Sequence, residues 1–288
     1  MIASVGQRRT SSLVARRRLE RPQWTRETAG VGPATDSNAS TFSLAPFIED
    51  VRAVEPVAGR PFDVDQLPDG RTTLVFRVLE GRSADVCVAG PRTRASFKHS
   101  TGVTRALILR FKPGWSSPLL GVAANVLTDR IILLEDIWGP SGRDLCDELV
   151  EAPSLPDAIE RLTRALHRRK TFESASGRLA RHALRLLEGG EVRVERVAER
   201  LGVTPRHLRR VFKENVGVGP KEFARTLRLQ RALQSAATSK DWAHIASHAG
   251  YYDQAHLIAD FKHLIGLTPG AYSKRAAQRQ SAARASVP

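Results

Sequence analysis

The feature that most constrains this chain is a tight turn, Leu201-Gly202-Val203-Thr204-Pro205, set between an apolar helical stripe and a cationic one. Upstream, Val194, Val197, Ala198 and Leu201 recur at the spacing of one helix face. Gly202 stands where a helix needs a left-handed exit, and Val203 is placed to plug the corner. Thr204 can accept a hydrogen bond from a free N–H of the next helix, and Pro205 takes its first position, where a missing N–H costs nothing. The helix that follows buries Leu208, Val211 and Phe212. It turns Arg206, Arg209, Arg210 and Lys213 to the other side, at i, i+3, i+4 and i+7, with His207 between them. A cationic stripe backed by an apolar one is what a helix needs to enter a DNA major groove while packed on a partner. The alternative is a solvated charged face. Four cations with no acid among them, directly after such a turn, favour DNA.

A similar unit follows. Trp242, Ile245, Ala246 and Ala249 form an apolar face and Gly250 ends that helix. Asp253 can cap the next, from Gln254 to about Leu264, which buries Leu257, Phe261 and Leu264. Its outer face is expected to carry Gln254 and His256 early, then Ala259 and Asp260, then Lys262. Gln254 can read adenine bidentately, and His256 can bond a base or a phosphate. Between the units, Pro220 to about Ala236 reads as a helix roughly 25 Å long. With its flanking turns it could hold two recognition helices about 34 Å apart, one DNA turn, without dimerisation.

These stretches, VAERLGVTPRHLRRVFKENVGVGPKEF, then RLQRAL, then IASHAGYYDQAHLIADFKHLIGLTPGAY, resemble the AraC/XylS-type DNA-binding domain. The resemblance covers residues 178–275, about a third of the chain. It implies an all-α domain of about seven helices with two helix-turn-helix units. By that resemblance Arg206, Arg209 and Arg210 sit where the first recognition helix contacts DNA, and Thr204, His207 and Lys213 are further candidate contacts beside them. Gln254, Ala255, His256, Ile258 and Ala259 occupy the second helix's contact surface, with Lys262 a further candidate from its outer face. Ala259 and Asp260 replace the longer or cationic residues common near this point.

The rest of the chain reads differently. The net charge of +15 resides in both ends and the C-terminal third: +4 over residues 1–45, −1 over 46–150, +3 over 151–190, +5 over 191–270 and +4 over 271–288. A basic excess so placed suits a polyanion. Residues 1–44 lack a period and read as a disordered basic arm, and 276–288 as a disordered tail. Residues 45–172 read as a β-rich domain with helices. Thr72–Val78, Asp85–Gly90 and Ala106–Phe111 are its candidate strands, in a small barrel or sandwich. Leu119, Val122, Ala123 and Val126 are expected on one helix. The stretches LPDGRTTLVF, LILRFKPG and LLEDIWG resemble the sensor-like domain that precedes such modules in one AraC-type branch, which implies a small-molecule pocket or a dimer surface. The fold class is thus α+β, a barrel-like N-terminal domain followed by helices and an all-α C-terminal domain.

Cys87 and Cys146 lack Cys-x-x-Cys spacing and suit buried thiols in a reducing compartment. No apolar run is long enough to span a membrane, so a cytoplasmic protein is expected. Residues 46–150 hold a single histidine, His99, too few for a cupin-like metal site. His244 and His248, at i and i+4, suit a surface or phosphate role better than a metal. Neither a phosphate-cradling loop nor a nucleophile elbow is present. The reading is therefore a transcription regulator that is not an enzyme and carries no cofactor or metal. Its expected partners are double-stranded DNA and RNA polymerase, with a small-molecule effector and a homodimer left open. A nonspecific architectural DNA binder, and an enzyme or carrier with a nucleic-acid tether, are the alternatives.

Overall fold

The computed structural model describes residues 44–285 except 57–61, 82, 171–172, 192, 237 and 240. The basic arm assigned to residues 1–44 lies outside it but for Leu44. That residue is buried, and its carbonyl accepts from Phe47 N and Ile48 N in a turn that opens the first domain. In chain order the elements are β1 (Ile48–Val54), β2 (Phe62–Gln66), β3 (Thr73–Leu79), β4 (Ala84–Ala89), β5 (Ser96–Ser100) and β6 (Val103–Phe111). Then come α1 (Ser116–Leu120), α2 (Ala124–Leu127), β7 (Ile131–Leu133), α3 (Leu134–Trp138), α4 (Pro140–Val150) and α5 (Leu155–Arg169). The C-terminal part contains α6 (Ala175–Glu188), α7 (Val194–Arg200), α8 (Pro205–Val216), α9 (Pro220–Ser235), α10 (Trp242–Ala249), α11 (Gln254–Ile265) and α12 (Pro269–Ala285).

The N-terminal domain is a five-stranded antiparallel sheet in the order β1-β6-β3-β4-β7, accompanied by a two-stranded ribbon, β2-β5. Alternation along the central strands sorts residues onto two faces. Leu74, Phe76, Val88, Leu107, Leu109 and Phe111 point to one side and are almost wholly buried. Leucines of the helices α1–α5, among them Leu119, Leu145 and Leu162, close that side into one core. On the other face the register sets Val75 between Cys87 and Ile108, and Thr73 between Ala89 and Arg110. These residues, the ribbon and part of α9 surround a cavity of about 730 Å³.

Three strands were legible because they are apolar and central. β1, β2 and β5 were missed because IEDVRAV, FDVDQ and SFKHS mix charge into short segments, the composition of edge strands. The single helix expected across residues 119–126 is two short ones, α1 and α2. Gly121 adopts a left-handed backbone and stops α1. The phase then shifts, so that Leu120, Ala124 and Leu127 are buried while Val126 is 45% exposed.

The C-terminal domain has two cores. Leu184, Val197, Leu208, Val211, Phe212 and Phe223 centre the first, and Leu229, Ile245, Leu257, Phe261 and Leu264 the second. Helix α9 belongs to both. The two domains also touch through specific bonds. Arg181 of α6 lies over the Trp115 ring at 3.8 Å and donates to the Gly114 carbonyl at 3.2 Å. Thr128 Oγ1 donates to the Gly217 carbonyl at 2.7 Å. Ala95 N, just before β5, donates to the Leu264 carbonyl at 2.7 Å, and Phe97 packs on the second core.

The disordered tail expected from residue 276 is instead the continuation of α12 to Ala285. This helix has no apolar stripe of its own, which is why its pattern gave no sign of it. A carboxylate from the other domain pins it: Asp65 on β2 faces Arg275 Nη2 at 3.2 Å and also bonds Arg279. We expect Asp65→Asn to raise amide hydrogen exchange at least tenfold beyond Arg275 while leaving α8 and α11 protected, as read by mass spectrometry.

Candidate nucleic-acid interface

The first helix-turn-helix is built as its sequence dictates. Gly202 takes φ 65°, and Val203 sits partly buried against the core. Thr204 Oγ1 accepts from His207 N at 3.2 Å, the cap that orients α8. Leu208, Val211 and Phe212 face inward, while Arg206, His207, Arg209, Arg210 and Lys213 are all exposed. The cationic stripe is, however, partly matched by acids that the spacing alone had not revealed. Arg209 Nη2 donates to Glu195 Oε1 of α7 at 2.7 Å, and Arg210 Nη1 pairs with Glu214 at 3.0 Å. Exposed pairs of this kind are worth about 0–1 kcal/mol. A phosphate or a guanine edge can therefore displace the carboxylate at small cost.

The second unit repeats the construction. Gly250 takes φ 86°, Asp241 caps α10, and Asp253 Oδ1 accepts from His256 N at 2.7 Å to cap α11. Gln254, Ala255, His256, Ala259 and Lys262 are exposed, whereas Ile258 is half-buried against the core. The His256 ring rests edge-on against Tyr251 at 5.2 Å, which fixes one side of it. His244 and His248 stack at 6.3 Å on the exposed face of α10.

Two residues changed status. Asp260 was expected on the outer face, but it is only 4% exposed. Its Oδ1 accepts from Arg225 Nη2 of α9 at 2.6 Å, and its Oδ2 lies 3.7 Å from Arg228 Nη2. The reason is angular: position 260 precedes Phe261 and follows Leu257 by three, so it lies on the flank that α9 covers. The exposed face of α11 is thus neutral to basic rather than acidic. The other residue is Tyr252, 92% exposed at the entry to α11 and absent from the sequence reading. Its signal was there, since the core needs only the first tyrosine of Tyr251-Tyr252. The Tyr251 hydroxyl is buried, and burial, with the Asp260 charge adding, raises its pKa.

Among the described residues no three metal-ligating side chains cluster, and no helix is long and apolar enough to cross a membrane. Cys87 and Cys146 are free thiols, and burial pushes them up to about 11 and about 12, so both stay protonated at neutral pH. Removing the Asp260 carboxylate leaves two arginines facing a largely buried gap. Asp260→Ala is expected to cost about 2–4 kcal/mol in urea denaturation, toward the cost of breaking a buried pair.

Residues 197–275 match the family described as Helix-turn-helix domain, and residues 39–133 match the Domain of unknown function (DUF6597). The chain is 37% identical over 101 residues to the HTH-type transcriptional regulator GlxA of Rhizobium meliloti, a match covering 32% of this chain and 31% of that protein. It is 31% identical over 88 residues to the bifunctional transcriptional activator/DNA repair enzyme Ada of Escherichia coli, covering 30% of this chain and 25% of that one. The matches thus span a third or less of the length of these relatives. Among solved structures, ToxT from Vibrio cholerae aligns over 77% of this chain and 97% of its own, at 10% identity and a TM-score of 0.39. The capped turns, the shared helix between them and the family match agree on one conclusion: the chain carries an AraC/XylS-type double helix-turn-helix domain behind a domain of the DUF6597 family.

Proposed function

We propose that the whole chain is a sequence-specific transcription regulator of the bacterial cytoplasm. In this reading α8 and α11 enter adjacent major-groove segments of double-stranded DNA. The observation that supports it most is the pairing of two capped, exposed helix faces on one connecting helix. α9 has 16 residues, about 24 Å at ~1.5 Å per residue, and its flanking turns extend the span toward one DNA turn, ~34 Å. Arg206, His207, Arg209, Arg210 and Lys213 on α8, after the Thr204 cap, supply the electrostatic anchor. Gln254, Ala255, His256, Ile258, Ala259 and Lys262 on α11 supply a surface with less charge and more selectivity.

The N-terminal domain serves as the sensor. Gln230, Leu233 and Gln234 of α9 form part of the cavity wall, so a small-molecule effector there would touch the helix that spaces the two recognition helices. RNA polymerase is the partner through which such an event would be read, and no catalytic step is assigned to the chain.

The test is competition at physiological salt between a duplex selected from a genomic pool and a random duplex of equal length. At least a thousandfold preference for the selected duplex is expected. Equal binding would instead make the chain a nonspecific architectural binder. On the selected duplex, Arg209→Ala and Arg210→Ala are each expected to cost about 1–3 kcal/mol by fluorescence anisotropy. Unchanged affinity in both would mean that α8 does not enter the groove.

A further inference from the structure

The two helix-turn-helix units have separate apolar cores, and α9 contributes to both. A rod of 16 residues sets how far apart the units lie. It leaves the tilt of each unit about its own end of the rod to other contacts. Tilt matters to a helix that reads bases. α8 and α11 have 12 residues each, about 18 Å at ~1.5 Å per residue. Rotating such a helix by about 10° around one end moves the other end by about 3 Å, close to the ~3.4 Å rise of one base pair.

A segment of the N-terminal domain ties the C-terminal ends of both helices. It is the connection from β4 to β5, residues 90–95. Its root is fixed: Gly90 N donates to the Arg130 carbonyl at 3.0 Å, and a Cβ on Gly90 would lie 1.8 Å from the Leu127 carbonyl oxygen. Pro91 is buried and packs on Gly217, the residue that ends α8, where a Cβ would meet the Pro91 ring at 2.7 Å. Thr128 holds the same Gly217 through its hydroxyl. Further along, Ala95 N donates to the Leu264 carbonyl in the last turn of α11 at 2.7 Å. Ala95 and Phe97 then pack on the second core. The steps from Pro91 to Ala95 span at most about 14 Å. The ends of α8 and α11 are therefore bridged by a short strap as well as by α9.

Asp129 holds the strap in shape. Among the described residues it alone, apart from glycines, has a left-handed backbone, with φ 58°. Its N donates to the Pro91 carbonyl at 2.9 Å, and its carbonyl accepts from Arg92 Nη1 at 3.0 Å. Its Oδ1 accepts from Thr93 N at 2.9 Å and its Oδ2 from Thr93 Oγ1 at 2.6 Å. A glycine takes this φ more easily, so what the aspartate adds is the carboxylate that latches the strap.

We propose that the segment from Gly90 to Ala95, latched by Asp129, fixes the angle between α8 and α11 and so makes the protein selective for the spacing of the two DNA segments they read. Thr93 and Asp129 are positioning residues, for neither lies on α8 or α11. Spacing selectivity rests on the reading that both helices enter the groove, but the angle can be measured without DNA.

Two variants slacken the strap by different means, so that loss of folding in one leaves the other to carry the test. Asp129→Gly keeps the backbone and removes the latch. Insertion of Gly-Gly between Thr93 and Arg94 keeps the side chains and adds up to about 7 Å of chain. Each is confirmed by thermal melting to be folded. In a Cys87→Ala, Cys146→Ala chain with nitroxide labels on Arg206→Cys and Ala255→Cys, pulsed electron resonance reads the distance between the starts of α8 and α11 without DNA. One narrow distribution is expected, and its width should at least double in either slack variant. In unlabelled full-length chains, fluorescence anisotropy then compares the selected duplex with one carrying an extra base pair between the two contacted segments. The extra pair should weaken binding by the unaltered chain at least tenfold and by the slack variants less than threefold. A broad distribution before slackening, an unchanged width in both variants, or an undiminished spacing penalty in both would overturn the proposal. Indifference of the unaltered chain to the extra pair would instead sink the two-groove reading, and the distance widths would then decide the strap by themselves.

Discussion

Helix α9 is buried on more than one side at once, and much else in the molecule depends on that. Phe223 at its start packs edge-on against Phe212 of α8 at 5.7 Å. Leu229 and Ala232, further along, belong to the second core. A helix of more than four turns, apolar at both ends, sets the distance between α8 and α11. Arg225 and Arg228, on the same helix, hold Asp260 and so set the rotation of α11. Its outer side completes the cavity of the other domain, and Gln230 reaches the Pro68 carbonyl there. Spacing, rotation and the wall of the N-terminal cavity therefore meet on one element.

The charges of the protein divide into two kinds by solvent exposure. Asp65 and Asp260 are shielded, and each is met by two arginines from a different element. Such ties are hard to break, because removing one partner strands a desolvated charge. Arg209 and Arg210 pair in open solvent, where screening and side-chain entropy leave little net gain. The first kind positions helices, and the second leaves the cations free to exchange partners. A net charge of +15 would say nothing of this division by itself.

The helix-turn-helix units were legible because their signals are local. A left-handed glycine, a capping Thr or Asp and a period of 3.6 all lie within about twenty residues of one another, so no distant contact can override them. The central strands were legible for the same reason, through unbroken apolar alternation. What sequence reading missed depended on distant partners. The ribbon β2-β5 is polar and holds its place through the second core and α12. The tail continues as helix because Asp65, far away in the chain, anchors Arg275 and Arg279. Asp260 looked exposed because its helix was read without the helix that crosses it.

The sequence by itself determined two unequal helix-turn-helix units, one with a strongly cationic second helix and one with a nearly neutral one, each with its turn and cap, since these follow from neighbouring residues and the geometry of a single helix. The tertiary structure decided which of their polar side chains remain outside. It turned Asp260 inward, left Tyr252 fully exposed and matched Arg209 with Glu195. It also gave the N-terminal sheet a cavity floored by one row of side chains and walled in part by α9. The physical reason is that burial and charge pairing are set by which elements cross, and that crossing is fixed by packing between residues far apart in the chain.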